Sequence, residues 1–383
     1  MRSYSENGLW IRGVWERKGF TATLLWLLLL PVSCFYLLLA RVRNVLYSWG
    51  WLRSRALPRP VISIGNLTVG GTGKTPSCLW LAQELTKRGF KVAILSRGYR
   101  RKNAESLLLC GQANAGISTQ EDLDASASGD EPLMMARLYG QTVGVGKNRE
   151  RTARDLLAKQ DVDVFVLDDG YQHRKLKRDV DLLLLGIDSQ GWVLPAGPFR
   201  ESKSALRRAD YFLVTGSEAS WRPLIPSEGV ERYFTGSLAS VALIGFGPKQ
   251  WKEYPLSLLY RSKILAVSGI ANPSGFYRMI HDWEGEIVET LEFPDHHSYS
   301  ASDWQQINRM SRHVDLIITT EKDILKLMRF PFAKDQLLAL RVAMAVERGD
   351  ALVNAVLERI KKKLQTQARG DESKAVREEQ GGA

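Results

Sequence analysis

The stretch Asn66-Leu-Thr-Val-Gly-Gly-Thr-Gly-Lys-Thr-Pro76 constrains the fold more than any other part of this chain. It joins an apolar run, Val61–Ile64, to a helical pattern in which Cys78, Leu79, Leu81, Ala82 and Leu85 share a face and Gly89 supplies the stop. A glycine-rich turn ending in Gly-Lys-Thr between a strand and a helix is built to hold phosphate. Gly70, Gly71, Thr72 and Gly73 let backbone N–H groups face phosphate oxygens, the helix N-terminus adds its dipole, Lys74 brings a cation, and Thr75 offers a hydroxyl to a metal. The full pattern GxxxxGK[ST] expects glycine at position 68, where this chain has Thr68. The competing reading is a strand–helix turn that binds nothing, and the order of strand, loop and helix argues against it.

A phosphate loop of this kind requires a parallel sheet, and the remaining sequence supplies one. Short runs apolar on both faces recur at 92–95, 162–167, 180–185, 211–215, 265–268 and 316–320, as central strands of a parallel sheet should. Alternation with helical patterns predicts an α/β fold with a P-loop NTPase-like doubly wound sheet. Residues 216–250 are rich in Gly and Pro and read as an irregular boundary, beyond which a smaller C-terminal α/β lobe is expected. Asp350 is a candidate cap for a last helix, and residues 367–383, polar and without periodicity, read as disordered. The expected parts are an N-terminal apolar segment 1–56, read below as membrane-associated, a P-loop core 57–225, a smaller α/β lobe 226–345 and a terminal helix with disordered tail 346–383.

No charge occurs between Gly19 and Ala40. As a helix these residues would extend about 33 Å, comparable with a hydrocarbon core of roughly 30 Å. Pro31 is expected to kink it, so both a spanning helix and one lying in a single leaflet stay open. Trp49 and Trp51 among arginines suit a headgroup boundary. The formal charge of +11 favours an anionic partner. Its basic residues flank apolar stretches, pointing to membrane and anionic substrate with no nucleic acid. Cys34, Cys78 and Cys110 lack disulfide or zinc spacing and read as small buried hydrophobes.

A phosphate loop needs carboxylates for its metal. Asp168 and Asp169 follow the apolar run 164–167 and would lie beside the loop at the strand's C-terminal end, although an Asp-Asp-Gly turn in solvent has the same pattern. Arg200 and Glu201 lie in a loop after 180–185, placed to reach a phosphate and a metal. Asp130 and Glu131 form an acidic turn that equally suits a helix cap. Asp295 with His296 and His297 has a spacing suited to acid/base work and is equally common in ordinary loops.

Taken in order, Gly65–Pro76, Ser96–Tyr99, Gly129–Pro132, Asp168–His173, Leu194–Glu201, Pro294–His297 and Thr320–Asp323 resemble the bacterial tetraacyldisaccharide 4'-kinase family of lipid A biosynthesis. The resemblance implies transfer of the ATP γ-phosphate to the 4'-hydroxyl of a tetraacylated disaccharide 1-phosphate on the cytoplasmic side of the bacterial inner membrane. It further implies Asp130 as the base, assisted by His296, with Lys74 on the phosphates. Asp168, Asp169 and Glu201 would serve Mg²⁺ with Thr75, and Arg97, Tyr99 and His173 would contact the lipid headgroup. Ala271 stands where the family pattern carries a glycine. The rival reading is a membrane-peripheral P-loop ATPase switch with water as acceptor. A nucleic-acid-binding NTPase would need an aromatic and basic platform that the sequence lacks.

Overall fold

A computed structural model describes residues 4–98, 101, 105–110, 128–226, 231–247, 250–271, 273–333 and 335–381. The chain divides into two compact units, Leu27–Ser237 with Ala345–Ala383, and Leu238–Met344 with Met1–Trp26.

Helices α1 (Tyr4–Trp15) and α2 (Phe20–Ser48) open the chain. α2 passes through Pro31 without ending. Its apolar residues fall on two faces. Tyr36 and Leu37 pack on a core cluster around Phe199, Phe212 and Trp221, while Leu27, Leu28, Val32, Phe35, Leu38, Leu39 and Val42 remain exposed. Cys34 is also exposed and Cys110 half-buried, so of the three thiols only Cys78 is the buried hydrophobe expected. Cys34 lies among these outward-facing residues because the helical period carries it there.

The sheet of the larger unit contains β1 (Val61–Asn66), β2 (Val92–Ser96), β3 (Leu107–Leu109), β4 (Thr142–Val145), β5 (Val164–Leu167), β6 (Val180–Leu185), β7 (Tyr211–Val214) and the first residues of β8 (Tyr233–Phe246). They lie in the order β3-β4-β2-β5-β1-β6-β7-β8, and every pair except β3 with β4 is parallel. β1, β5 and β6 are buried throughout, which accounts for their largely apolar character, with Ser63, Asn66 and Asp181 as the polar exceptions. The helices α3 (Lys74–Lys87), α4 (Asp130–Tyr139), α5 (Arg149–Leu157) and the short α6 (Glu218–Trp221) belong to the same unit. Because β1 lies between β5 and β6, the strand order reverses around it. The loops after these three strands therefore emerge together at the carboxyl edge, where α/β sheets bind ligands.

In the smaller unit β10 (Lys263–Ser268) lies between β11 (Glu286–Glu292) and β12 (Leu316–Thr320), and β12 pairs with β13 (Leu337–Val346), all parallel. The end of β8 pairs antiparallel with β9 (Trp251–Tyr254). The helices α7 (Ser274–His281), α8 (Ala301–Met310) and α9 (Glu321–Leu327) complete it. A capping box between Ser300 and Asp303 starts α8.

In the chain's second half the secondary structure differs from the sequence reading. The interval 216–250 contains the 14-residue strand β8, where β-branched and aromatic residues outweigh the glycines. The final helix α10 (Gly349–Gly381) continues through most of the segment expected to be disordered. Buried Leu352, Val353, Val356 and Ile360 fix its first turns, and the Ala, Gln, Glu, Lys and Arg that follow favour propagation. Asp350 lies inside the helix and pairs with Arg88 instead of capping.

Gly65 in β1 is required by close approach, since a Cβ there would meet the Cβ and backbone N of Tyr171, each at 2.7 Å. Gly65→Ala is expected to lower stability by about 1–3 kcal/mol, read as a drop in the thermal midpoint. Gly71→Ala, whose methyl meets nothing within 4 Å, should leave that midpoint in place.

Candidate active site

Strand β1 delivers the loop 67–73 directly to the N-terminus of α3. The left-handed backbone occurs at Gly70 (φ 105°) and Gly73 (φ 80°), where glycine relieves the strain. Thr68 instead forms an antiparallel bridge with Phe199 and is buried. That position is an isolated β-bridge and is not among the positive-φ residues, so the threonine is accommodated without glycine. Asn66 Nδ2 donates to Thr72 Oγ1 (2.8 Å) and Thr215 Oγ1 donates to the Thr72 carbonyl (3.2 Å), so the middle of the loop is tied to neighbouring strand ends. Gly71 is open to solvent and Thr75 is buried in the first turn of α3.

Lys74 lies between loop and acids. Its Nζ donates to the Gly70 carbonyl at 3.5 Å and stands 3.9 Å from Asp169 Oδ1. Arg200 Nη1 donates to both carboxylate oxygens of Asp169 at 2.9 Å. Burial would raise the pKa of Asp169, but Lys74 and Arg200 outweigh it and hold the carboxyl below its usual range. Asp169 also has a left-handed backbone, φ 48°, uncommon for a residue other than glycine.

Asp168 has the opposite environment. It is 4% exposed, and its carboxylate accepts from Ser96 Oγ (3.2 Å) and lies 3.6 Å from the Cys78 thiol. Burial, with the charges of Glu131 and Asp169, raises its pKa to about 6. Burial and the charge of Asp168 push the Cys78 thiol upward as well. Adjacent acids thus differ in character: one is neutralised by cations and the other waits for a positive charge.

Asp130 is the first residue of α4, directly before Glu131, whose charge is felt at Asp168. The acidic turn therefore opens toward the same carboxyl edge. Arg97 is exposed just after β2. His173 follows the Asp168–Tyr171 turn, where burial, reinforced by Arg149 and Arg178, pushes its pKa down to about 3 and keeps it neutral at pH 7. Tyr99 lies outside the described residues. His296 belongs to the smaller unit, with φ 62° and Nε2 3.8 Å from Asp295 Oδ2, and its neighbour His297 bonds Asp303 at 3.0 Å.

Glu201 does not join the acids beside the phosphate loop. At 3% exposure its Oε2 accepts from Asn44 Nδ2 and Arg208 Nη1, both 2.7 Å, and Arg43 stands 3.9 Å from Oε1. Alternating side-chain direction explains the difference, since Arg200 faces Asp169 and the next residue faces helix α2. A cavity of about 340 Å³ opens there, lined by Leu37, Ala40, Asn44, Val45, Glu201 and Arg208 among others.

Sequence reasoning missed Arg149, which is 4% exposed and donates from Nη2 to the Asp168 carbonyl at 3.1 Å. A signal was available. A basic residue opening a helix opposes the helix dipole, and such local conflicts concentrate at functional sites.

Among the described residues no group of three or more His, Cys, Asp or Glu forms a dedicated metal cage. The donor types present, the Asp168 and Asp169 carboxylates after β5 and the Thr75 hydroxyl in the first turn of α3, still fit Mg²⁺, which takes one or two protein carboxylates and completes its shell with water and substrate phosphate. The raised pKa of Asp168 marks a carboxylate that a divalent cation would relieve.

The chain is similar throughout most of its length to proteins of one family. A family profile described as Tetraacyldisaccharide-1-P 4'-kinase matches residues 25–361. Tetraacyldisaccharide 4'-kinase of Pelobacter propionicus is 38% identical over 312 residues, covering 79% of this chain and 83% of its own. That of Aquifex aeolicus is 35% identical over 330 residues, covering 85% and 96%. The crystal structure of LpxK from Aquifex aeolicus in complex with ATP superposes with a TM-score of 0.73 at 32% identity, covering 88% of this chain and 99% of that one.

The buried Asp168 yields a pH prediction. Its folded pKa, near 6, exceeds the ordinary 3.8, so the stability contributed by the neutral form is full below about pH 3.8 and lost once pH passes 6. Without added metal, Asp168→Asn should therefore raise the thermal midpoint relative to the parent at pH 8, with the gain shrinking as pH falls through 6.

Proposed function

The chain belongs to the tetraacyldisaccharide-1-P 4'-kinase family, and from that premise we propose how its residues carry the reaction. It is an ATP-dependent kinase that transfers the γ-phosphate of ATP to the 4'-hydroxyl of tetraacyldisaccharide 1-phosphate. In the proposed mechanism the amides of residues 70–73 and the ammonium of Lys74 hold the triphosphate, and Arg200 lies across Asp169 on the transferring side. Asp130 accepts the proton of the 4'-hydroxyl as its oxygen bonds to the γ-phosphorus and the bridging bond to the β-phosphate breaks, releasing ADP. Phosphoryl transfer depends chiefly on alignment and charge neutralisation, which such a constellation supplies. Thr75, Asp168 and Asp169 would hold Mg²⁺, which when bound neutralises charge on the phosphate oxygens. His296 is proposed as a further acid/base residue, and Arg97, Tyr99 and neutral His173 to meet the lipid headgroup.

The observation that carries this reading is Lys74 at 3.9 Å from Asp169 on a loop that ends at a helix N-terminus. Glu201, bound to Asn44 and Arg208, is proposed to organise the acceptor side of the site instead of the metal. Residues 1–56 are proposed to attach the enzyme to the cytoplasmic face of the inner membrane. The exposed apolar face of α2 would enter the bilayer, with Trp49 and Trp51 at the headgroups. A lipid acceptor that never leaves the membrane would reach a site fastened to the same surface.

Asp130→Ala should reduce kcat by about 100-fold or more while the Kd for ATP, measured by equilibrium binding, stays within about twofold; parent rates would remove the proposed base. Mg²⁺ affinity, read by titration calorimetry with ATP present, should weaken as pH falls below 6, where Asp168 takes up its proton. An affinity flat from pH 5 to 8 would contradict Asp168 as a ligand.

A further inference from the structure

Helix α2 makes a set of contacts that membrane attachment does not require. Ser33 is fully buried within an otherwise apolar stretch, and its Oγ accepts from the Ala196 backbone N–H at 2.9 Å. Tyr36 donates its hydroxyl proton to the Arg200 carbonyl at 2.7 Å, and Asn44 Nδ2 donates to Glu201 Oε2 at 2.7 Å. Positions 33, 36 and 44 fall on one stripe of the helix at about 100° per residue. All three contacts therefore meet a single segment, Ala196–Glu201.

The other side of that segment lies on the phosphate loop. Val69 N donates to the Pro198 carbonyl at 2.8 Å, and Arg200 N donates to the Leu67 carbonyl at 2.7 Å. Arg200 then reaches Asp169 with its guanidinium. Six residues thus connect the lipid-facing helix on one side to the triphosphate cradle and the Asp169 carboxylate on the other. Apolar exposed surface suffices for an anchor, and polar side chains on the inner stripe only weaken its partition into lipid. Their placement is accounted for by what they hold.

We propose that Tyr36 and Asn44, with Ser33, are positioning residues for phosphoryl transfer: docking of α2 fixes the 196–201 segment and thereby seats Arg200 on Asp169 beside the phosphate loop. The proposal rests on the reading of Lys74, Asp169 and Arg200 as the phosphate-transfer site. Small displacements of such groups have large kinetic effects, because alignment supplies much of the catalysis.

The test uses the full chain bound to vesicles of phosphatidylethanolamine and phosphatidylglycerol. ATP and tetraacyldisaccharide 1-phosphate are both saturating, and Tyr36→Phe, Asn44→Ala, Arg200→Ala and the exposed-face control Leu38→Ser are compared. Tyr36→Phe removes only an O–H and keeps the ring packed, so it preserves folding. Tyr36→Phe and Asn44→Ala should each lower kcat by about ten- to a hundredfold with KM for both substrates and vesicle partition within twofold of the parent. Leu38→Ser should weaken partition with kcat per bound enzyme unchanged. In an Arg200→Ala background, adding Tyr36→Phe should cost less than twofold, because both act through one guanidinium. If Arg200→Ala lowers kcat while Tyr36→Phe and Asn44→Ala do not, or if their loss simply follows lost vesicle binding, the positioning role is overturned and the site reading survives. If Arg200→Ala itself leaves kcat intact, both fall.

Discussion

The ion cluster of Lys74, Asp169 and Arg200 is the constraint around which the larger unit is arranged. Two cations on one partly buried carboxylate satisfy it and leave net positive charge where a triphosphate would bring negative charge. Placing these groups together demands three strand ends at one edge: β1 for the loop and Lys74, β5 for Asp169, and β6 for the segment carrying Arg200. Parallel order β5-β1-β6 provides this, because the chain leaves each strand on the same side. Asp168, one residue from Asp169, lies where burial dominates and stays short of positive charge. The pair differs in ionisation for reasons of environment alone.

Much of this was legible in the sequence. Runs 180–185 and 316–320 are strands with the bounds their mainly apolar character gives, and the few polar residues in them, Asp181, Thr319 and Thr320, do not break the pattern. The Gly-Lys-Thr turn announced strand, loop and helix together, and the missing glycine at position 68 is explained once Thr68 is seen bridging Phe199. What the sequence could not convey was direction. Arg200 and Glu201 are neighbours of like promise, yet one faces Asp169 and the other Asn44 on a helix more than 150 residues earlier in the chain. Nothing local in a loop reveals which partner each side chain meets.

Arg149 and β8 were obscured for different reasons. Arg149 lies in a charged helix start that reads as solvated surface, and its misfit with the helix dipole was the one hint of its burial against the Asp168 carbonyl. β8 carries glycines that read as loop, but fourteen residues of extended chain are held by partners on neighbouring strands, and tertiary pairing overrides local propensity. Likewise α2 read as a simple apolar anchor. The three polar residues on its inner stripe gained meaning only when the 196–201 segment was seen beneath them.

The central claim is that this constellation passes phosphate to a membrane-resident alcohol and not to water. It is tested most directly by following the label of γ-labelled ATP with the purified chain and tetraacyldisaccharide 1-phosphate in mixed micelles. The account predicts label accumulating in the lipid, one phosphate per acceptor, with little free phosphate and no turnover when the acceptor is omitted. Label released as inorganic phosphate at the same rate with and without the lipid would contradict it.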